Sequence, residues 1–395
     1  MRLLLLTIYS ITVAALRAQD YYPPVVNYST QQYGKDKNPE NWCAVQDQRG
    51  VMYFGNANGV LEFDGQKWGF IQVQIGTHVR TIGVDSSGVV YVGAVGEFGY
   101  LKPNERGELV YQSLSAALAQ EDQFFFDVWG IHCTKNEVFF QAQEGLYRYD
   151  LKTKQTTVFY PESTYHLSFM VNGELYVRAR GVGIQKFHNN ELQTLGGTEI
   201  FQEYGLFGIY NLPDDSLLFV TQELGLFKWK NNAMVNLPEL NSTPLTGLGI
   251  YGSIALSEGS YALSTITQGI IIIDENGLIK KRIDRSKGMR SNDVKYIFED
   301  RDQNLWLALG NGISKVNYHS PLSYFNEKSG IEGNVEAMIR FKEKLYVGTS
   351  FGLFVQDFRP ENLPNLPMLK LLKTKFGIFA LWVISFMLQP LRGFT

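Results

Sequence analysis

EDRDQNLWLALGNGISKV, residues 299–316, is the clearest copy of a pattern that runs through most of the chain. An acidic polar turn (300–304) precedes a short apolar strand with a tryptophan (305–309), and a glycine-bearing turn (310–312) connects it to a second strand (313–316). Polar and glycine-rich turns between short apolar strands predict a β-hairpin. Because the pattern recurs at a fixed period, the stretch also predicts a repeat architecture.

The glycine that opens the second strand of this hairpin recurs at intervals of 38 to 46 residues. Each copy lies between two apolar strands, and a further short apolar strand precedes them. The copies are Gly59, Gly99, Gly145, Gly183, Gly225, Gly269, Gly312 and Gly352. Units of this length are typical of four-stranded propeller blades. We therefore predict an all-β chain that forms a β-propeller over residues 22–358, with eight repeat units that make seven or eight blades.

The N-terminal segment PPVVNYSTQQYG (23–34) resembles the trailing segment SPLSYFNEKSG (320–330) of a later unit. It precedes the first leading strand, so it is a trailing strand without a blade of its own. We expect it to complete the last blade and so to remove the open edges of the ring. Eight units together with this strand would close one eight-bladed ring.

Composition and charge narrow the classes of function. The chain has 395 residues, of which 14% are aromatic and 38 are glycine, a composition suited to sheet faces and tight turns. Its formal net charge of −3 supplies no field that would attract nucleic acid or an anionic membrane. We therefore predict no nucleic-acid partner.

Both termini differ in character from the repeats. Residues 1–18 have the pattern of a secretory signal peptide with cleavage after Ala18, although a retained membrane anchor is an alternative. A Pro-rich linker (359–367) is followed by an apolar tail (368–395). The tail has three open interpretations: a product of truncation or a reading-frame change, a weak anchor that associates with a membrane, or a segment that packs on the propeller.

Export would permit a disulfide bond, and the chain has two cysteines, Cys43 and Cys133. They fall in the first and third repeats, which are not neighbours. We therefore favour two buried small residues over a disulfide bond, without discarding the latter.

Two long stretches carry a resemblance to a known family. They are NWCAVQDQRGVMYFGNANGVLEFDGQKW (41–68) and EDRDQNLWLALGNGISKVNYHSPLSYFNEKSG (299–330). Both resemble two-component regulator propeller repeats, and more closely the exported sensor region of triple-tyrosine-motif regulators and hybrid histidine kinases of the Bacteroidetes type. The resemblance covers residues 22–358.

The resemblance implies an exported sensor, periplasmic or facing the periplasm at the inner membrane. It also implies a homodimer, as in receptor relatives. Propellers of the family commonly have seven blades, so the resemblance offers an alternative to the eight-bladed ring, in which the eighth unit (335–358) begins a second propeller. Members usually continue with more repeats, a β-sandwich domain that carries the tyrosine motif, a membrane helix and a cytoplasmic output module. This sequence shows none of these, so we expect an apparently truncated receptor without its own output domain.

Metal and cofactor chemistry is weakly indicated. Asp300, Asp302 and Asn304 match the opening of a calcium loop, but the sixth position is Leu305 and the twelfth is Asn311, where such a loop needs glycine and glutamate. We favour a plain hairpin turn. The five histidines show no spacing typical of a zinc site. We therefore predict no metal and no cofactor.

The face at one end of the propeller axis is the predicted binding surface. In a propeller, the turns between second and third strands and the starts of the inner strands come together on that face. The nine binding candidates there are Arg80, Glu97, Trp129, Glu144, His166, Arg178, Arg180, Glu223 and Asn311, and other predicted rim residues are Asn56, Asn58, Gln143, Gln222 and Gln268. Strand alternation places Arg178 and Arg180 on one face. Paired arginines beside an aromatic ring suit an acidic or sugar-like ligand, whereas an ordinary solvated rim is the alternative.

Together these patterns favour a non-enzymatic, exported module that senses a ligand or a partner. A small molecule or an oligosaccharide is the expected ligand. The alternatives are a propeller polysaccharide lyase or glycosidase, and a surface scaffold for protein interactions. The enzyme would need an acid/base pair among Glu97, Glu144, Glu223 and His166.

Overall fold

The computed structural model describes residues 23–74, 76–236, 245, 247–322, 324, 331–341, 344–357 and 369–372. The chain divides into two compact units at residue 322, so the predicted propeller range of 22–358 spans both. The predicted signal peptide, the linker and all but four residues of the tail lie outside the described residues. Within the described part of the chain, no helix has the length and apolar character needed to cross a membrane.

The unit Pro23–Leu322 consists of four-stranded antiparallel sheets that follow one another along the chain. The first three blades are β2 (Ala44–Gln46), β3 (Met52–Asn56), β4 (Gly59–Phe63), β5 (Trp68–Gln72); β6 (Val79–Val84), β7 (Val90–Ala94), β8 (Glu97–Pro103), β9 (Leu109–Ser113); and β10 (Val128–Cys133), β11 (Glu137–Ala142), β12 (Leu146–Asp150), β13 (Thr156–Phe159).

The next three blades repeat this order. They are β14 (Tyr165–Val171), β15 (Glu174–Ala179), β16 (Gly183–His188), β17 (Glu191–Thr194); β18 (Leu206–Asn211), β19 (Leu217–Thr221), β20 (Leu226–Lys230), β21 (Ala233–Asn236); and β22 (Ile250–Ala255), β23 (Tyr261–Thr265), β24 (Ile270–Ile273), β25 (Ile279–Ile283). Short helices lie between strands: α1 (Thr30–Tyr33) and the 3₁₀ helices Ser115–Ala117, Gln120–Gln123, Glu199–Gln202 and Arg285–Lys287.

The seventh blade combines both ends of this unit. Its strands β26 (Val294–Glu299), β27 (Leu305–Leu309) and β28 (Gly312–Val316) are joined by β1 (Val25–Tyr28), which pairs with β28 from Val25 opposite Val316 to Tyr28 opposite Ile313. The inner strand β26 contacts β2 of the first blade as well as β22. The N-terminal strand thus joins the seventh unit and not the eighth, which corrects the interpretation of one eight-bladed ring.

The interface between the first and seventh blades is an aromatic core. Trp306 of β27 stacks on Tyr28 of β1 at 5.7 Å between ring centroids and also contacts Phe54 and Phe63 of the first blade. Tyr33, at the end of α1, is buried in the same cluster. The segment before the first blade therefore contributes strand pairing and apolar burial to the same junction.

An aspartate stabilises the turn between the first and second strands of three blades. Asp300 accepts hydrogen bonds from the backbone N–H groups of Asp302 (3.0 Å) and Asn304 (2.8 Å) and from Trp306 Nε1 (2.8 Å). Asp47 and Asp85 make the same set, with the hydroxyls of Tyr53 and Tyr91 in place of the indole. Since the Asp300 carboxylate is occupied by its own turn, the structure agrees with the hairpin interpretation of residues 300–304.

No group of three potential metal-ligating side chains occurs among the residues whose placement is described. Both cysteines are free thiols, and only Cys43 is fully buried. Cys43 is buried between the first two blades, and Cys133, the last residue of β10, is partly buried between the second and third. Burial raises the pKa of each thiol to about 12, so both stay protonated at neutral pH.

The second unit contains one described sheet of four strands, β29 (Val335–Phe341), β30 (Lys344–Thr349), β31 (Gly352–Asp357) and β32 (Leu369–Leu372). Ile331, Val347 and Phe354 form a small buried cluster in it. The predicted eighth repeat is therefore a four-stranded sheet of its own.

Candidate functional site

A β-bulge near the start of the inner strand, present in six of the seven blades, places one side chain at the mouth of the propeller axis. In six blades the register of the inner strand shifts after its first residue, for example between Val79 and Thr81 and between Val294 and Tyr296. In the first blade, Trp42 occupies the same position, five residues before the turn aspartate Asp47. We call these seven residues the axial ring: Trp42, Arg80, Trp129, His166, Phe207, Tyr251 and Lys295.

Arg80 lies between two indoles of the axial ring. Its guanidinium carbon is 3.9 Å from the ring centroid of Trp42 and 5.3 Å from that of Trp129. Its Nε donates to Asp127 Oδ1 at 2.6 Å, and only 16% of the side chain is exposed. The aromatic faces and the ion pair together hold the guanidinium plane in one orientation.

Lys295 continues the ring on the other side of Trp42. Its Nζ is 5.2 Å from the Trp42 centroid and 5.6 Å from that of Tyr251. It also pairs with Asp293 Oδ2 at 3.1 Å and lies 3.8 Å from Glu40 Oε1. On this side of the mouth, both cations therefore lie against aromatic rings and beside carboxylates.

His166, Phe207 and Tyr251 form the remaining arc. Phe207 contacts His166 edge-on at 5.4 Å between centroids and Tyr251 at 6.1 Å. Burial, with a smaller contribution from Arg178 and Arg180, lowers the pKa of His166 to about 4, so this imidazole is neutral at physiological pH. Burial likewise raises the pKa of the Tyr251 phenol.

Four polar atoms at the ring are buried without a hydrogen-bond partner among the described residues. Three belong to ring residues, Trp42 Nε1, Arg80 Nη1 and His166 Nδ1, and the fourth is Oδ1 of Asp293, the ion-pair partner of Lys295. A buried polar atom without a partner costs roughly 1–3 kcal/mol. Two further such atoms, Asn56 Oδ1 and the Tyr165 hydroxyl, lie outside the ring. The concentration of unpartnered atoms makes the axial ring the candidate binding site.

Three of the nine predicted binding residues belong to the ring: Arg80, Trp129 and His166. The two other arginines occupy different surroundings, because β15 ends at Ala179, between them. Arg178 is 3% exposed and donates to the backbone carbonyls of Phe201 (2.9 Å) and Gln202 (3.3 Å). Burial lowers the pKa of Arg178 to about 10. Arg180 is exposed in the turn that follows.

The three predicted glutamates do not form a cluster with hydrogen bonds to one another. Glu97 Oε1 accepts from the hydroxyls of Tyr111 (2.9 Å), Ser113 (2.7 Å) and Ser115, all within the second blade. Glu144 accepts from the backbone N–H of Phe126 at 3.2 Å, and Glu223 is exposed in the fifth blade. Glu97 and Glu144 thus have local structural partners.

The predicted amides lie in turns, except Asn56, which ends β3. Asn311 accepts from Arg290 Nη2 at 3.4 Å, and Asn58 accepts from the backbone N–H of Gly76 at 2.8 Å. Asn56 is fully buried and donates to the carbonyl of Asn38 at 2.8 Å. Gln143, Gln222 and Gln268 occupy turns of the third, fifth and sixth blades.

Sequence reasoning missed four members of the ring: Trp42, Phe207, Tyr251 and Lys295. A usable signal exists in the sequence. Each of the four stands five residues before the start of the turn that joins the first two strands of its blade, and that turn starts at Asp47 in the first blade and at Asp300 in the seventh.

A separate cleft of about 410 Å³ lies beside the first blade and is lined by Asp36, Lys37, Asn38, Ala57, Asn58, Phe70 and Gln72. None of the ring residues lines that cleft.

No protein-family model and no curated protein matches the chain. Among solved structures, one extracellular domain of a protein described as a hybrid two-component system from B. thetaiotaomicron is similar, with a TM-score of 0.61 and 18% identity over 89% of this chain and 50% of that one. A second such domain from the same organism has a TM-score of 0.59 and 19% identity over 85% and 46%. A streptogramin B lyase has a TM-score of 0.57 and 14% identity over 74% and 97%.

The chain spans about half the length of the two extracellular domains. At these identities the similarity establishes the fold, and it confirms the prediction of an all-β propeller with four-stranded blades. Extracellular domains of two-component systems are also the proteins that residues 41–68 and 299–330 resemble. The chain is therefore a β-propeller protein whose structural neighbours include the extracellular part of two-component systems.

Proposed function

We propose that this chain is the sensing module of an exported receptor of the two-component type and that it recognises its ligand or partner at the axial ring. The observation that carries the proposal is the ring itself, where seven equivalent positions bring aromatic faces, two cations and unpartnered polar atoms together. Ligand sites typically combine apolar walls with a few placed polar groups. The similar extracellular domains support the receptor context.

The proposed module binds without catalysing a reaction. A glycosidase needs two carboxyl groups that flank one bond, and Glu97 and Glu144 are held by hydroxyls and a backbone N–H in separate blades. Asp127 and Asp293, the aspartates beside the ring, are each paired with a ring cation. These pairings favour binding over acid/base catalysis.

The test is a thermal-shift screen of the purified chain against small molecules and oligosaccharides, followed by product analysis of every ligand that raises the melting temperature. We expect ligands to be recovered intact. Bond cleavage that is abolished by Glu144→Gln or Glu223→Gln would establish the enzyme alternative instead. A protein captured by pull-down, with no small-molecule shift, would favour the scaffold.

A further inference from the structure

The loop before the third blade carries two exposed phenylalanines. Phe124 and Phe126 are 85% and 69% exposed, whereas Phe125 between them is buried. Tyr160, which directly follows β13 of the same blade, is 59% exposed. Its hydroxyl donates to the carboxylate of Asp122, two residues before Phe124, so the three exposed rings belong to one region of the surface. We call Phe124, Phe126 and Tyr160 the aromatic patch.

The backbone of this loop directs the two phenylalanines outwards. The ring of Phe125 packs on those of Phe98 and Tyr147, at 5.5 Å and 5.0 Å between centroids. The carbonyl of Phe126 accepts a hydrogen bond from the N–H of Gly96 at 2.7 Å. Because side chains alternate along extended backbone, the burial of Phe125 turns both of its neighbours toward solvent. An apolar surface that is already held in place loses little conformational entropy when a partner binds to it.

The surroundings of the aromatic patch are acidic. No lysine or arginine occurs in the segments that form it, which are 119–126, 142–145 and 160–164. Their carboxylates belong to Glu121, Asp122, Glu144 and Glu162. Arg180 borders these segments, since its backbone N–H donates to the carbonyl of Thr164 at 2.9 Å, and Asp127 is already paired with Arg80. The excess of carboxylates and the exposed aromatic faces both attract cationic groups.

Exposed aromatic side chains are suited to docking on a lipid surface or on a protein. The carboxylates favour a protein, because they repel anionic lipid headgroups and attract lysine and arginine. Aromatic side chains are also enriched at protein interfaces, where they serve as anchors. A segment with basic and apolar residues side by side would place its apolar group on Phe124 and Phe126 and its cation beside Glu121 or Glu162.

We propose that the aromatic patch is a docking surface for a partner protein, which binds there through a basic segment that carries apolar anchors. The patch shares no residue with the axial ring. The inference therefore goes beyond the proposed sensing function, and its failure would leave that function untouched.

The experiment is selection of random dodecapeptides displayed on phage against the purified chain, with counter-selection against the double variant Phe124→Ser/Phe126→Ser. We expect the enriched peptides to carry lysine or arginine next to leucine, phenylalanine or tryptophan. In fluorescence polarisation they should bind the parent chain at least about tenfold more tightly than the double variant, as the burial of one phenylalanine side chain implies. Leu278→Ser, which replaces an exposed apolar residue of the sixth blade, is the matched control and should leave the affinity unchanged.

Charge reversal tests the basic character of the partner and does not depend on the folding of the double variant. Glu121→Lys combined with Glu162→Lys changes two exposed side chains, so it should weaken the same peptides by about fivefold or more at low salt, and by less as the salt concentration rises. Failure to enrich any peptide, enriched peptides without basic residues, or equal affinity for the parent and either double variant would overturn the inference. Binding to vesicles of phosphatidylglycerol and phosphatidylcholine that Phe124→Ser/Phe126→Ser abolishes would overturn it in favour of a membrane surface.

Discussion

Replacing Asp300 with alanine tests how the repeat is held together. The substitution removes the acceptor for Asn304 N–H and Trp306 Nε1, both at 2.8 Å, and these residues are 8% and 3% exposed. Each buried donor left without a partner costs roughly 2 kcal/mol, so we expect the free energy of unfolding to fall by about 4 kcal/mol. The loss of the ion pair with Lys315, which is 3.6 Å away and partly exposed, adds little.

Asp302→Ala is the matched control, because Asp302 is an exposed aspartate of the same turn and only its backbone N–H donates to Asp300. Its free energy of unfolding should stay within about 0.5 kcal/mol of the parent protein. Equilibrium unfolding in urea, followed by tryptophan fluorescence, measures both variants against the parent. The slope of the transition checks that the unfolded state is unchanged.

A calcium loop would behave differently from a hairpin turn. Calcium would then raise the stability of the parent protein, and Asp302→Ala would abolish that gain, since both aspartates would be ligands. Equal losses of stability in the two alanine variants, or protection by calcium of the parent and of neither variant, would refute the hairpin interpretation of residues 300–304. A loss below about 1 kcal/mol in Asp300→Ala would likewise show that the turn aspartate is dispensable.

Three further predictions concern the ring and its closure. Deletion of residues 23–34 removes β1 and the stacking of Tyr28 on Trp306, so it should lower the melting temperature by more than about 10 °C. A change below about 2 °C would show that the ring does not depend on β1. Gly312→Ala should lower the free energy of unfolding by about 2 kcal/mol or more, because φ of Gly312 is 93° and a Cβ there would lie 2.5 Å from the Tyr28 carbonyl oxygen. Gly88→Ala is the control, because Gly88 has a similar φ of 88° but open space around it, so it measures the backbone strain alone. Equal losses of stability in the two variants would contradict the predicted clash. Burial lowers the pKa of His132 and His166 to about 4, whereas the unfolded chain has a value of about 6.5. The free energy of unfolding should therefore be highest above about pH 6.5 and fall by up to about 2 kcal/mol per histidine at about pH 5. A urea midpoint that does not change with pH would refute this.

The blades were predictable because their signals are local. Turn residues such as Asp300 and Gly312 act on their own backbone, and alternation of apolar residues reports which face of a strand is buried. The glycine spacing therefore located every blade. The partner of β1 could not be predicted from local signals, because Val25 and its partner Val316 are separated by nearly the whole unit in sequence. The repeat count alone left two ring sizes open.

The site was predictable only in part, for a physical reason. Arg80, Trp129 and His166 were identified as polar or amphipathic residues at the start of inner strands. Phe207 and Tyr251 stand at the same position, but apolar residues on short strands are typical of a core. The bulge that brings all of them to the mouth shifts the register of each inner strand, and strand alternation does not predict such a shift.

Glu97 illustrates the opposite error. It stands at the edge of β8, where rim residues are expected, yet three hydroxyls of the second blade occupy its carboxylate. Those hydroxyls belong to β9 and the short helix that follows it, and their approach depends on how the outer strand pairs. Sequence position places a residue near a face, whereas the tertiary partners decide whether its side chain is available.

A crystal structure of the chain with the ligand that raises its melting temperature most in the thermal-shift screen tests the central claim most directly. We predict that the ligand lies at the axial ring, with polar atoms within hydrogen-bonding distance of Arg80 Nη1 and Trp42 Nε1 and with the aromatic side chains of the ring displaced to admit it. A ligand bound elsewhere, for example in the cleft beside Lys37 and Phe70, with the ring side chains unchanged, would contradict the claim.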